Sequence, residues 1–97
     1  MRKTDKLRER QLIDALNSVC EAALDAALPG FQWLTHHVDY RRFPVSLAVF
    51  CIVEGDYPQS KAWLVNAVCR ALLDLNIALP ANRCQCLSEA SYRQRFG

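Results

Sequence analysis

Adjacent histidines, a Cys-x-Cys pair and an Arg-Arg pair are the residues of this 97-residue chain whose types and spacing could do chemistry. His36 and His37 lie in a stretch that reads as a strand. Successive strand side chains point to opposite faces, so one metal ion cannot take both without a bulge. One histidine with Cys84 and Cys86 is a conceivable ligand set. However, C-x-C lacks the wider Cys spacing that zinc loops usually supply. The reading is therefore no metal and no cofactor, with the cysteines packing on a strand. Thr35, His37 and Asp39 share a strand face, and Asp39 could orient the His37 imidazole as a general base requires. No nucleophile accompanies them: neither G-x-S-x-G nor a local cysteine signature is present. Catalysis through His37 and Asp39 thus ranks last, and the chain is expected not to be an enzyme.

Arg41-Arg42 sits between Tyr40 and Phe43. Two guanidiniums and two aromatic rings on an exposed loop suit a phosphate or an unstacked base. The competing reading is a polar turn with Phe43 folded back on the core. The three glycines, Gly30, Gly55 and Gly97, are isolated, so no glycine-rich phosphate loop is present.

Charge is unevenly placed around a net +2. Residues 1–10 hold five basic and two acidic side chains, a local +3 that includes Lys3 and Lys6. Residues 83–97 carry a local +2 and residues 11–82 a local −3. Basic ends could touch phosphate, or could simply be solvated termini. The composition, 52% hydrophobic and 23% charged, supports a packed core rather than disorder. No apolar run approaches the roughly 20 residues of a spanning helix, so no membrane partner is expected. The basic N-terminus lacks an apolar segment behind it and is not a secretory signal. The cysteines, Cys20, Cys51, Cys69, Cys84 and Cys86, are odd in number and three fall among apolar residues of regular elements. That pattern suits reduced thiols in a cytoplasmic protein better than a disulfide framework.

The elements that would position these residues follow from periodicity. Residues 4–28 form an amphipathic helix with Leu12, Leu16, Val19, Ala23 and Ala27 on its stripe. Thr4 is the expected N-cap and Pro29-Gly30 the stop. Residues 31–40 read as a first strand and residues 45–53 as a second, folded back at residues 40–44. A second helix opens at Asp56, with Gln59 completing a capping box, and carries Leu64, Val68, Ala71 and Leu75. Residues 83–88 form a short third strand, and residues 91–97 a polar tail, helical or disordered.

The predicted fold is a single α+β domain over residues 1–97, with residues 1–5 and 91–97 as frayed ends or tail. Its order is α-β-β-α-β: a two-layer sandwich of a three-stranded, mostly antiparallel sheet with two helices on one face. Two helices cover only one sheet face. The second strand is apolar on both sides, so either Leu47 and Val49 or Phe50 and Ile52 would lie exposed as an interface. A homodimer stacked through its sheets, or joined along an edge strand, is the expected resolution.

Met1-Arg2-Lys3-Thr4-Asp5-Lys6, Gly30-Phe31-Gln32-Trp33-Leu34-Thr35-His36, Val38-Asp39-Tyr40, Phe43-Pro44 and Ser46-Leu47 resemble a family of small gammaproteobacterial proteins. These are often labelled "Fis family transcriptional regulator". The resemblance covers roughly residues 1–55, and only faintly Leu87 to Tyr92. It implies a regulatory role and assigns no site residues. The label also implies an all-helical fold with a C-terminal helix-turn-helix, whereas residues 31–54 read as strands and Ser91 to Gly97 is too short for a recognition-helix pair.

Three functions are thus in play. The first is a non-enzymatic regulatory or interaction module, dimeric, touching nucleic acid through its basic termini and Arg41-Arg42. The second is a ligand- or protein-binding domain that uses the open sheet face. The third is the His37/Asp39 enzyme.

Overall fold

A computed structural model describes residues 3–97. Met1 and Arg2, part of the basic N-terminal run, lie outside the described residues. The elements are α1 (Lys3–Asp25), β1 (Phe31–His37), β2 (Ala48–Val53), α2 (Pro58–Leu73), β3 (Cys84–Leu87) and α3 (Glu89–Phe96), with 3-10 turns at Tyr40–Arg42 and Ala81–Arg83. The expected α-β-β-α-β order is present, extended by α3.

The sheet order is β1-β2-β3. β1 and β2 are antiparallel, as a short return connection requires, whereas β2 and β3 are parallel across the α2 crossover. The sheet is therefore mixed. A strand-built centre also separates the chain from the all-helical architecture that the Fis label implies.

α1 and α2 lie together on one face. Leu12, Leu16, Val19 and Ala23 of α1 meet Leu64, Val68 and Leu72 of α2 over Val49, Cys51, Val53 and Cys84 of the sheet. The helical spacing of these residues builds that layer. β1 is irregular between Phe31 and Trp33: Phe31 pairs with Val53 and Trp33 with Ile52. The extra residue, Gln32, shifts Phe31 to the core face beside Val53, whereas strict alternation would have placed it with Trp33.

Three local expectations change. Lys3 is already helical, so Thr4 lies inside α1 rather than capping it. α1 also stops before Pro29: Leu28 N–H reaches Ala23 O and Ala27 takes a positive φ of 51°. That is a Schellman-type end, reached without the left-handed glycine usual there. The Asp56–Gln59 capping box does not form, because α2 begins at Pro58 with Tyr57 at its N-cap and no side-chain cap bond. Tyr57 is held elsewhere: its ring lies where a Cβ on Gly30 or Gly55 would stand, and both glycines have positive φ.

The expected polar tail, residues 91–97, is largely drawn into α3. Ser88 caps it by accepting from Ser91 N–H, Glu89 sits in its first turn, and Arg93 and Arg95 in its last. Glu54 Oε1 accepts from Glu89 N–H at 2.7 Å and ties the helix start to the end of β2.

Candidate functional site

The sheet face left open in the sequence-based fold is the face α3 occupies. Tyr92 and Phe96, one helical turn apart, both reach Phe50, with centroid separations of 6.0 and 4.9 Å. Tyr92 meets Trp33 edge-on at 5.1 Å, and Phe96 stacks on His37 at 4.5 Å. Arg95 lies over both phenylalanine rings and bonds to Gln85 Oε1 at 2.8 Å. Leu47 and Val49 are 0% exposed on the α1/α2 side; Phe50 and Ile52 are 5% and 0% exposed. All four proposed interface residues are therefore buried within one chain. The physical reason is that a seven-residue segment, too polar to read as core, carries two aromatics at the spacing needed to seal the face. Ser88 before Glu89, Tyr92 and Phe96 four apart, and two arginines at the end are the sequence signal for it.

The His37–Asp39 pair does not assemble. β1 ends at His37, and His37 Nε2 lies 2.8 Å from the Tyr92 hydroxyl. Asp39 instead caps the 3-10 turn, its Oδ1 accepting from Arg41 N–H at 3.0 Å. An aspartate just past a strand satisfies the nearest free amide more readily than a side chain two residues back. His36 faces the other side of the sheet, paired with Val49. Burial draws its pKa below the usual 6.5; Glu9 opposes that shift and His37 adds to it. Among the described residues, no group of three or more His, Cys, Asp and Glu side chains is disposed to hold a metal ion.

The connection carrying Arg41 and Arg42 is closed by its own hydrogen bonds. Asp39 N–H donates to Ser46 Oγ at 2.9 Å, and that hydroxyl donates back to Asp39 O at 2.8 Å. Arg42 N–H reaches Asp39 O, and Ser46 N–H reaches Arg42 O, each at 2.9 Å. Arg83 then clamps the exit, giving 2.7 Å to Ser46 O and 3.1 Å to Leu47 O. With the backbone groups occupied, both arginine side chains are left exposed.

The N-terminal half of α1 lies beside this turn. The Arg8 guanidinium sits 4.8 Å from the centroid of Phe43, which stacks with Tyr40 at 5.8 Å. Burial, then the charges of Glu9 and Asp5, push the Tyr40 hydroxyl above its usual pKa of 10.0. That hydroxyl has no hydrogen-bond partner among the described residues. Lys3, Lys6, Arg8 and Arg10 are exposed on the same half of α1. The fold thus brings two basic segments, more than thirty residues apart in sequence, to one end of the molecule. Asp5, Glu9 and Asp39 dilute the charge there, and Asp39 is committed to the turn. Phe43 does fold back, half-buried against the core.

Among the described residues, no helix is long and apolar enough to cross a membrane. The chain matches no known protein family, no curated protein and no solved structure.

Proposed function

We propose that this chain is a non-catalytic regulatory or interaction module that contacts nucleic-acid phosphates through its basic end. Arg41 and Arg42 are the leading contacts, with Lys3 and Lys6 alongside. The observation that carries the reading is the packing of Arg8 on Phe43, which sets the basic half of α1 beside a turn whose two arginine side chains are exposed. Exposed cations on a self-closed turn meet phosphate at little ordering cost. Lys and Arg on phosphate release condensed counterions, so the binding is electrostatic and without base readout.

A cytoplasmic location goes with this reading. Of the two dimer arrangements, stacking through the sheet faces does not, because α3 fills the face a second copy would cover. The same coverage removes the opening a ligand on the sheet would need.

Fluorescence anisotropy on a labelled DNA duplex and a single-stranded RNA tests the proposal. Binding is expected to weaken steeply between about 50 and about 200 mM salt. The Arg41→Glu/Arg42→Glu double variant should weaken it uniformly and reduce the salt slope by about one for each phosphate no longer neutralised. Absence of binding at low salt, or an unchanged slope in the double variant, sinks the reading.

A further inference from the structure

Three of the five thiols gather on one face of two paired strands, under α2. Cys51 and Cys86 are register partners across the parallel β2/β3 pair, and Cys84 stands two residues before Cys86 on the same face. Neighbouring strands run about 4.7–4.9 Å apart. That spacing falls inside the roughly 4.4–6.8 Å Cα window that a disulfide accepts. Cys51 is fully buried, whereas Cys86 is half-buried, its Sγ 3.9 Å from Lys61 O. A small oxidant can therefore reach one member of the pair and not the other.

We propose that Cys86 and Cys51 form a peroxide-responsive thiol pair, Cys86 taking the oxidant and Cys51 closing a disulfide within the sheet. The Cys86 thiolate attacks one oxygen of hydrogen peroxide, the O–O bond breaks, and hydroxide leaves and is protonated to water. The Cys51 sulfur then attacks the Cys86 sulfenic sulfur, the S–O bond breaks, and the departing hydroxyl takes the Cys51 proton as a second water. Two thiols lose two electrons and one peroxide becomes two waters.

The electrostatics divide the roles the same way. The Cys51 thiol beside it draws Cys86 down against the cost of burial, and Lys61 assists. The neighbouring Cys84 and Cys86 thiols, with burial, push Cys51 up and hold it protonated. Reactivity follows the thiolate, so Cys86 is the sulfur that attacks peroxide. Cys20 and Cys69 are the other half-buried thiols and serve as internal controls.

The reduced wild-type chain, freed of reductant and given stoichiometric hydrogen peroxide, is mapped by mass spectrometry. The expected product is an intramolecular Cys51–Cys86 link formed several-fold faster than oxidation of Cys20 or Cys69. Cleavage after Arg83 leaves Cys84 and Cys86 on one peptide. The Cys84→Ser variant, which should keep the link, therefore separates them. Cys51→Ser should leave a sulfenic acid on Cys86 that a cyclic 1,3-dione traps. Equal or faster oxidation of Cys20 or Cys69, a link through Cys84, or a Cys86 oxidised while Cys51 stays a free thiol would overturn the proposal. The wild-type map alone carries the test if a variant fails to fold.

Discussion

One face of the sheet is covered by two long helices through aliphatic side chains, the other by a two-turn helix through aromatic ones. On the α1/α2 side, Leu12, Leu16, Leu64, Val68 and Leu72 interlock with Val49, Cys51 and Val53, and almost none of that surface reaches water. On the α3 side, Tyr92 and Phe96 do the covering, and Phe96 itself remains 42% exposed. The first face is a core in the ordinary sense. The second is sealed by a few ring contacts, one His–Tyr bond and the Arg95–Gln85 bond. The Glu89–Arg93 ion pair of α3 is an exposed i,i+4 pair and adds little. Helix length goes with the difference. α1 and α2 supply a full helical layer for one face, whereas the eight residues of α3 cover the other with their aromatic side chains.

The comparison predicts unequal costs. Leu64→Ala, at a fully buried position, should destabilise the chain by about 2–5 kcal/mol and lower its denaturant midpoint accordingly. Phe96→Ala should cost only about 1 kcal/mol, since much of that ring is already wet. It should, however, loosen Tyr92, whose ring lies 5.0 Å from Phe96 and packs on Trp33, and so expose Trp33 and red-shift the indole emission. Equal costs for the two substitutions would break the distinction between core and cover.

His36 sharpens it in a second way. His36 faces the helix layer with its pKa lowered by burial, so the unfolded chain binds more protons between the lowered value and 6.5. Stability should therefore fall as pH drops through 6.5 toward that value. His36→Gln should flatten the dependence of Tm on pH between about 7 and about 5. An unchanged pH slope would remove His36 from the account.

The smallest effect is expected at the edge of the helix layer. α1 and α2 end alike, with Leu28 N–H on Ala23 O and Ile77 N–H on Leu72 O. The left-handed residue is Asn76 after α2 but Ala27 after α1. Asparagine takes that conformation at less cost than alanine and glycine at less still, so Ala27→Gly should stabilise the chain by about 0.5–1 kcal/mol and raise Tm by a few degrees. A drop in Tm would mean that the end of α1 is held by something other than its own turn.

Much of this fold was legible in the residues. The 3.6-residue stripes of α1 and α2, the β-branched run of β2 and the return near residues 40–44 all have strong local causes. The candidate site was legible in pieces. Arg41 and Arg42 stood out because two cations beside two aromatics in a turn are unusual, while Lys3 and Lys6 read only as part of a charged end. The thiol pair was not legible at all, because Cys51 and Cys86 are far apart in sequence and meet only through the register of a parallel pair.

The sequence by itself determined α1, α2, the three strands and the order of these five elements, because each is set by side-chain periodicity along a few turns of chain. Tertiary structure alone decided which faces meet. It closed the second sheet face with Tyr92 and Phe96, sent Asp39 to a backbone amide instead of His37, and set the basic half of α1 beside the arginine turn. Those outcomes depend on burial and partner choice between distant segments, for which local spacing holds no information.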